Sequence, residues 1–395
     1  MIGSSATDAL RFIGSGGANR AMEAELKRLV PRALPGFRLA KPLRADEQTL
    51  IYPFSADLAW ASVHYLRTSS RVLWDIYQLQ ALRLDPLYAS VRALVESDAR
   101  PWLEDGATIS VDARNVADFP ASPLQLRGTI KNAVIEGAAA RGVRLTLDQD
   151  EPRLPLVLRG LGGDLTLSID LAGRSMHARG YRLHVSDAPL KETLAAQMLM
   201  LSRWDARTEA LVDPMCGAGT IVIEAAAMAD GAPTWTADRS PTIDDIEPFR
   251  STPHKALEVL FPGPKAPIVG NDIDEGCIRA AEGNLARAAL NPKVTFHRGD
   301  FADLDLGAIA DEASSRGGLI LTNPPYGERL EPDASGKLEA LYRSFARWCE
   351  NQRGNWRVGM LNAHPSFDEI VGWKPRMRKP MSNGPLRAYF SIYDR

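Results

Sequence analysis

The chain has 395 residues, which is too long for one typical domain and predicts two or three. Its 45% hydrophobic content is ordinary for a globular protein, and no apolar stretch approaches the roughly 18–20 residues that a membrane-spanning helix needs. The net charge of −2 excludes the overall basic footprint of many nucleic-acid-binding proteins, so composition does not identify the partner. No signal peptide is apparent at the N-terminus, and a cytoplasmic location is expected.

Two small units are predicted before residue 187. The first, residues 1–66, has a helix over 21–30 that Pro31 and Pro35 break, a strand over 49–52 and a helix over 55–66. The second, residues 67–186, alternates strands at 72–77, 108–113, 154–159 and 164–171 with helices at 87–96 and 126–141. This pattern is typical of α+β sheets.

Residues 187–395 are typical of a doubly wound α/β sheet, because short apolar strands alternate with helices. The seven predicted strands are 210–214, 267–273, 294–299, 318–322, 357–361, one near 375–378, and 387–393. An insertion at 230–266 separates the first two strands. The fold class is therefore predicted to be α/β in this half of the chain.

Cysteine and histidine are sparse in this chain. The three cysteines and six histidines are scattered, which predicts a reduced compartment, no disulfide framework and no structural metal. The cysteines are Cys216, Cys277 and Cys349.

A glycine-containing loop, from Asp213 to Thr220, follows the first strand of this half. Gly217 and Gly219 remove side chains where a ligand must approach the backbone. Val222 replaces the third glycine of a dinucleotide fingerprint, and no Gly-Lys-Ser/Thr follows, so neither a dinucleotide loop nor a Walker loop is indicated. The loop suits an amino-acid moiety, and the alternative is a tight strand–helix turn without a ligand.

Acidic residues follow the next two strands. Asp272 can bind both hydroxyls of a ribose, and Ile273 offers an apolar surface to an adenine. Asp300 could accept the adenine amino group, with Phe301 packed on the ring. Either aspartate alone could equally cap a helix, which is the role predicted for Asp274.

The fourth strand stops at Asn323-Pro324-Pro325-Tyr326. Ligands of open α/β sheets bind at the carboxyl ends of the strands. The amide and carbonyl oxygens of this turn can accept hydrogen bonds from an exocyclic amine, and the tyrosine ring can stack on a planar base. The alternative is an ordinary strand exit with a Pro-Pro stop.

Together these motifs resemble the amino-methyltransferase branch of the class I S-adenosylmethionine-dependent methyltransferases. The segments 177–182, 188–195 and 323–330 are similar to those of THUMP-domain guanine-N2 RNA methyltransferases, in particular the bacterial enzymes that act on 23S rRNA. The resemblance covers nearly the whole chain. It implies a ferredoxin-like region at 1–66, a THUMP domain at 67–186 and a seven-stranded Rossmann-like methyltransferase domain at 187–395.

The resemblance also implies roles for individual residues. Catalysis is assigned to Asn323, Pro324, Pro325 and Tyr326. S-adenosylmethionine is expected to contact Asp213, Pro214, Met215, Cys216, Gly217, Gly219, Asp272, Ile273, Asp300, Phe301 and Asn323. RNA contacts are expected from Lys131, Arg179, Arg182, Lys191 and Arg329, although each of these cations could instead be a solvated surface residue.

The predicted reaction is methyl transfer to the exocyclic N2 of a guanosine in large-subunit ribosomal RNA. The alternatives are a transfer RNA guanosine-N2 methyltransferase and an RNA-binding or assembly factor that only holds the cofactor. DNA adenine and protein glutamine methyltransferases share the Asn-Pro-Pro-Tyr turn, but neither explains a THUMP-like N-terminal half. The insertion at 230–266 departs from the family pattern, so no RNA contact is assigned to it, and no second methyltransferase domain is expected after the last strand.

Overall fold

The computed structural model describes residues 4–161, 164–182, 190–251, 265–290, 294–312, 317–325, 334–383 and 386–394. The strands in these residues form two sheets, one before residue 171 and one after residue 209. None of the helices in the described parts of the chain has the length and apolar character required to cross a membrane.

The first sheet contains eight strands in the spatial order β2-β3-β1-β4-β8-β7-β5-β6. They are β1 (Ser5–Ile13), β2 (Arg44–Ala45), β3 (Thr49–Pro53), β4 (Arg71–Leu79), β5 (Thr108–Arg114), β6 (Thr146–Leu147), β7 (Leu154–Leu161) and β8 (Asp164–Asp170). Four helices accompany them, namely α1 (Asn19–Ala33), α2 (Ala56–Tyr65), α3 (Leu84–Ser97) and α4 (Pro123–Ala140). Because β1 pairs antiparallel with both β3 and β4, strands from the two predicted N-terminal units share this sheet. The boundary at residue 66 stays a prediction.

The second sheet contains seven strands in the order β11-β10-β9-β12-β13-β15-β14. They are β9 (Ala210–Asp213), β10 (Ile268–Asp272), β11 (Val294–Arg298), β12 (Gly317–Thr322), β13 (Asn355–Asn362), β14 (Met377–Asn383) and β15 (Leu386–Asp394). The helices of this half are α5 (Glu192–Leu201), α6 (Thr220–Asp230), α7 (Glu275–Ala288), α8 (Leu306–Glu312), α9 (Ala334–Glu350) and α10 (Phe367–Val371).

The first five strands of this sheet are parallel, whereas β15 runs antiparallel to both of its neighbours. Strand order reverses between β9 and β12, and this switch point opens a crevice at the carboxyl ends of the strands. The sheet confirms the predicted α/β fold, and each strand begins within two residues of its predicted start.

The N-terminal half differs from the prediction mainly at β1 and at the end of α1, and the two-residue strands β2 and β6 are also not predicted. The sequence interpretation misses β1, whose pairing with β4 shifts register between Ala6 and Ala9, so that its apolar alternation is interrupted. The predicted helix break at Pro31 is wrong, because α1 continues to Ala33. Pro31 is exposed and lies in the last turn, so its missing N–H removes only a backbone bond near the helix end.

The described part of the insertion, residues 230–251, packs on the N-terminal half. Trp235 Nε1 donates a hydrogen bond to the Val63 carbonyl at 3.0 Å, and the Phe249 ring meets the Trp74 ring edge-on at 5.9 Å. The side chains that the insertion adds to the core of the first sheet are Trp235, Ile243, Ile246 and Phe249. The rest of the insertion, residues 252–264, lies outside the described residues.

A buried ion cluster also joins the two halves. Glu224 of α6 contacts Arg67, which precedes β4, at 3.1 Å and Arg179 at 3.4 Å. Burial alone would raise the pKa of Glu224, but the two guanidinium groups hold it below its ordinary value. Arg179 is only 1% exposed and also donates to the Arg67 carbonyl at 2.6 Å. The prediction that Arg179 contacts RNA is therefore wrong, because its guanidinium is enclosed between the two halves of the chain.

We expect Glu224→Gln to lower the free energy of unfolding by about 3–5 kcal/mol, because two buried guanidinium groups lose their counter-ion. Urea denaturation of the full chain, followed by circular dichroism, measures this loss. Glu339→Gln is the matched control, since Glu339 pairs with Arg343 on an exposed face of α9. Its effect should stay within about 0.5 kcal/mol. A Glu224→Gln variant as stable as the wild type would contradict the role of the cluster.

Candidate active site

A cavity of about 400 Å³ lies at the carboxyl ends of the central strands of the second sheet. This volume suits a ligand of the size of a nucleoside or a larger cofactor. Most of the residues predicted to bind the cofactor or to act in catalysis line it. They are Asp213, Pro214, Met215, Cys216, Gly217, Asp272, Ile273, Asp300, Phe301, Asn323, Pro324 and Pro325.

The loop after β9 is held by the neighbouring strand end. The side-chain amide of Asn271, which is 2% exposed, donates to the Pro214 carbonyl at 3.1 Å and to the Gly299 carbonyl at 3.0 Å. The Cys216 N–H donates in turn to the Asn271 carbonyl at 2.8 Å. One buried side chain thus connects the ends of β9, β10 and β11. The sequence interpretation missed Asn271, because nothing beside Asp272 in the sequence signals that its amide is buried.

The two glycines of this loop serve different purposes. Gly219 precedes α6 with a φ of +81°, and a Cβ on it would lie 3.0 Å from the Cβ of Ala281. Gly219 therefore permits helix packing and does not line the cavity. Gly217 lines the cavity with a φ of +52°, and a Cβ there would have no described protein atom within 4 Å. Its missing side chain leaves room for a ligand.

Asp272 and Ile273 offer a polar and an apolar contact side by side. The Asp272 carboxylate accepts hydrogen bonds from the Gly217 N–H at 2.9 Å and from the Asp274 N–H at 3.0 Å, which orients it. The Ile273 side chain is 72% exposed, as an apolar surface for a planar ring would be. The Asp274 side chain accepts from the Cys277 N–H at 2.8 Å, which confirms its predicted role as the cap of α7.

Asp300 and Phe301 line the cavity but also make contacts elsewhere in the protein. Asp300 accepts a hydrogen bond from the Ala302 N–H at 3.0 Å, so the capping alternative is realised, although the residue also lines the cavity. The Phe301 ring is 7% exposed and packs edge-on against Phe345 and Trp348 at 5.9 and 5.4 Å. Phe301 thus contributes mainly to the core and offers the cavity only part of its surface.

Asp213 is a buried carboxyl group at the base of the cavity, with 1% of its surface exposed. Burial raises its pKa to about 7, although a hydrogen bond from the Met215 N–H at 3.3 Å opposes the shift. Burial also raises the pKa of the Cys216 thiol well above its usual value, so this cysteine stays neutral. Asp213 is therefore the group in the loop whose charge a cationic ligand would stabilise.

The Asn-Pro-Pro turn is supported by a tyrosine that the sequence interpretation missed. Tyr342 of α9 is 1% exposed, and its hydroxyl donates to the Pro325 carbonyl at 3.2 Å. Burial raises the pKa of Tyr342 to about 12, so the hydroxyl remains a donor at neutral pH. Asn323 is half-buried and Pro324 is buried. Tyr326 lies outside the described residues.

The cations predicted to bind RNA lie in different environments. Arg182 lines the cavity, where it pairs with Glu192 at 2.9 Å and donates to Thr220 Oγ1 at 3.1 Å, and its RNA contact stays a prediction. Lys191 is exposed at the start of α5, and Lys131 is half-buried on α4. Arg329 lies outside the described residues.

Positive charge gathers at the junction that holds Arg182 and Lys191. The pKa of the nearby His177 is lowered to about 4, mainly by burial and in addition by the charges of Lys191, Arg179 and Arg182. In the described parts of the chain, no group of three or more His, Cys, Asp or Glu side chains is arranged to hold a metal ion.

Comparison with known protein families matches residues 179–390 to the RMKL-like methyltransferase domain. The chain belongs to this family. It is 35% identical over 366 residues to the ribosomal RNA large subunit methyltransferase K/L of Syntrophotalea carbinolica, covering 86% of this chain and 48% of that protein. The protein of the same name from Cellvibrio japonicus is 31% identical over 359 residues, covering 85% of this chain and 46% of that protein. The chain thus spans about half the length of the curated relatives that it matches.

Solved structures share the fold over almost the whole chain. A possible methylase from Clostridium difficile 630 is 24% identical with a TM-score of 0.79, covering 98% of this chain and 97% of that chain. SMU.472, complexed with S-adenosylhomocysteine (SAH), is 21% identical with a TM-score of 0.75, covering 100% of this chain and 98% of that chain. The protein therefore has the α/β methyltransferase fold of this family, whose cofactor is S-adenosylmethionine.

The cavity fits this cofactor on its own chemistry. Gly217 leaves open space beside the loop, and Asp213 is a buried carboxyl group suited to a cationic ligand. The oriented Asp272 carboxylate suits a ribose, and the exposed Ile273 suits the face of an adenine.

We expect Asp213→Asn to raise the free energy of unfolding of the cofactor-free protein at pH 8 by about 2–4 kcal/mol. The folded pKa of about 7 lies above the ordinary value of 3.8. The stability that Asp213 contributes is therefore fully present below about pH 4 and is lost as the pH rises through 7. Asparagine carries no charge, and its side-chain oxygen can still accept the Met215 N–H.

Urea denaturation of the variant and the wild type at pH 5 and pH 8 checks this prediction. The variant should be clearly the more stable protein at pH 8, and its advantage should be smaller by about 2–3 kcal/mol at pH 5 because much of the loss lies between pH 5 and pH 7. Equal stability at both pH values would show that the pKa of Asp213 is not raised.

Gly217→Ala is expected to weaken SAH binding at least about tenfold, because the new methyl group would occupy the cavity. Because residue 217 has a left-handed backbone, the alanine should also lower the free energy of unfolding by about 1–2 kcal/mol. Gly36→Ala is the matched control, since Gly36 has a φ of +88° and open space around its Cβ position, away from the cavity. Calorimetric titration should show unchanged SAH affinity in the control. A similar loss of affinity in both variants would contradict a ligand contact at Gly217.

Proposed function

We propose that this protein transfers the methyl group of S-adenosylmethionine to the exocyclic N2 of a guanosine in large-subunit ribosomal RNA. The observation that carries the proposal is that Asn323 and Pro324 line the same cavity as Asp213 and Asp272. Acceptors for a planar amine thus lie beside the cofactor-binding residues. The names of the two relatives, which specify large-subunit ribosomal RNA, support the choice of substrate.

The N2 amine of guanine is a poor nucleophile, because its lone pair is delocalised into the ring. The Asn-Pro-Pro turn can activate such an amine. Asn323 Oδ1 and the Pro324 carbonyl accept its two N–H bonds and localise that lone pair. When bound, the cofactor supplies an electrophilic methyl group on a sulfonium. The amine displaces the sulfide in line and then loses its extra proton to solvent. Positioning and electrostatic stabilisation provide most of the rate enhancement in this scheme.

The target base must leave its stack to reach this turn, which typically costs a few kcal/mol. Tyr326 follows Pro325 directly, and its ring is proposed to stack on the extruded guanine. Tyr342 supports this arrangement, because its bond to the Pro325 carbonyl holds the turn from the side of α9.

The N-terminal half is proposed to bind the RNA around the target. This proposal assigns a ferredoxin-like region to residues 1–66 and a THUMP domain to residues 67–186. Lys131 and Lys191 are its proposed phosphate contacts, with Arg329 beyond the catalytic turn, and such contacts would make RNA binding sensitive to salt. An enzyme with this substrate would act in the cytoplasm.

Two alternatives differ from this proposal in an observable way. A transfer RNA guanosine-N2 methyltransferase would use the same parts and would place N2-methylguanosine in transfer RNA. An assembly factor that only holds the cofactor would bind RNA without methylating it. The continuous set of acceptors and cofactor contacts in one cavity favours an enzyme, because binding RNA alone would not require Asn323 beside Asp213.

We expect cells that lack the protein to lose one N2-methylguanosine from large-subunit ribosomal RNA, as mapped by mass spectrometry of ribosomal and transfer RNA. The wild-type gene should restore the nucleoside. Asn323→Ala should not restore it, because the amine would lose the side-chain acceptor, and its turnover should fall at least about 100-fold. SAH affinity of the purified variant should stay within about threefold of the wild type.

Asn351→Ala is the matched control, since Asn351 is an exposed asparagine just after α9. It should restore methylation fully. Normal methylation by Asn323→Ala would contradict the mechanism. A loss of N2-methylguanosine confined to the transfer RNA of the deletion strain would establish the first alternative, a transfer RNA methyltransferase. Unchanged methylation in both RNAs of the deletion strain would favour the assembly factor.

A further inference from the structure

Arg182 leaves one guanidinium nitrogen without a partner at the wall of the cofactor cavity. Its Nε donates to Glu192 at 2.9 Å, and its Nη2 donates to the Leu190 carbonyl at 2.8 Å and to Thr220 Oγ1 at 3.1 Å. Its Nη1 is buried and has no hydrogen-bond partner among the described residues. Three of the five N–H groups of this guanidinium thus have an acceptor, and both N–H groups of Nη1 have none among the described residues.

Such an orphaned donor is costly, because a buried charged group without its hydrogen bond loses its hydration without compensation. Glu192, which is not among the described residues lining the cavity, accepts from Nε and does not reach Nη1. Burial raises the pKa of Glu192, and the charge of Arg182 opposes that shift. Arg182 therefore lines the cavity with a guanidinium that still has N–H groups without an acceptor among the described residues.

The charges of the cavity indicate what this acceptor is. Among the described lining residues, Arg182 is the one cation, whereas three residues bring acidic side chains, namely Asp213, Asp272 and Asp300. Arg182 also lies beside the first residue of α6, a helix of 11 residues whose N-terminus has no side-chain cap. The N–H groups and the dipole of such a helix end favour an anion at the same place.

We propose that Arg182 binds the carboxylate of the methionine moiety of S-adenosylmethionine. This carboxylate is the anionic group of the cofactor, and the three aspartates would repel it from the rest of the cavity. The proposal replaces the RNA contact predicted for Arg182. It rests on the cofactor and is independent of which RNA is methylated.

Calorimetric titration of the full chain with S-adenosylmethionine and with its decarboxylated form tests this assignment. The wild type should bind the carboxylate-bearing form about 10- to 100-fold more tightly, as expected for a charge-assisted hydrogen bond. Arg182→Met should reduce this ratio to less than about threefold. Its affinity for the decarboxylated form should stay within about threefold of the wild type.

Arg357→Met is the matched control, because Arg357 is also largely buried and paired with a glutamate, Glu209, at 2.7 Å but does not line the cavity. Its ratio should equal that of the wild type. If Arg182→Met does not fold, the assignment is tested by the ratio of the two ligand affinities in the wild type and in Arg182→Lys. A wild-type ratio near one, or an equal loss of both ligands in a folded Arg182 variant, would overturn the assignment. A wild type that binds neither ligand would instead contradict the cofactor.

Discussion

The carboxylate of Glu224 is the point at which the two halves of the chain depend on each other. It lies in α6, the same helix that begins at the cofactor loop, and it neutralises Arg67 from one half and Arg179 from the connection. A buried guanidinium without its counter-ion is costly, so the halves cannot separate without exposing three charges. Any tilt of the N-terminal sheet must therefore act on the helix that forms one wall of the cavity.

The cavity itself follows from the way parallel strands end. Because β9, β10 and β12 finish at one edge, residues far apart in sequence meet there without long loops, and the Asn271 amide connects the neighbouring ends. Charge is divided unequally between the walls. The aspartates lie at or just after the ends of β9, β10 and β11, whereas Arg182 lies near the start of α6, which matches a ligand that is cationic at its centre and anionic at one end.

Sequence predicted the second sheet well and the first sheet less well, for physical reasons. Strands such as β12 are buried on both faces and end at Gly, Asp or Pro, so their apolar runs have clear limits. β1 carries a register shift that interrupts its alternation. The burial of Arg179 in an ion cluster could not be predicted from the sequence. Two of its partners lie 112 and 45 residues away, and a single sequence does not show which distant charges meet. The roles of Asn271 and Tyr342 were missed for the same reason, because their hydrogen-bond partners are not visible in a single sequence.

The insertion after α6 bears on how the chain is made. Trp235, Ile243, Ile246 and Phe249 complete a hydrophobic core whose other buried members all precede residue 177. During synthesis the N-terminal half therefore leaves the ribosome with part of its apolar interior still missing. A fragment cut near residue 186 would expose the surface that these rings cover. The order of translation thus makes the N-terminal half wait for a segment that follows α6, so this half does not complete its core alone.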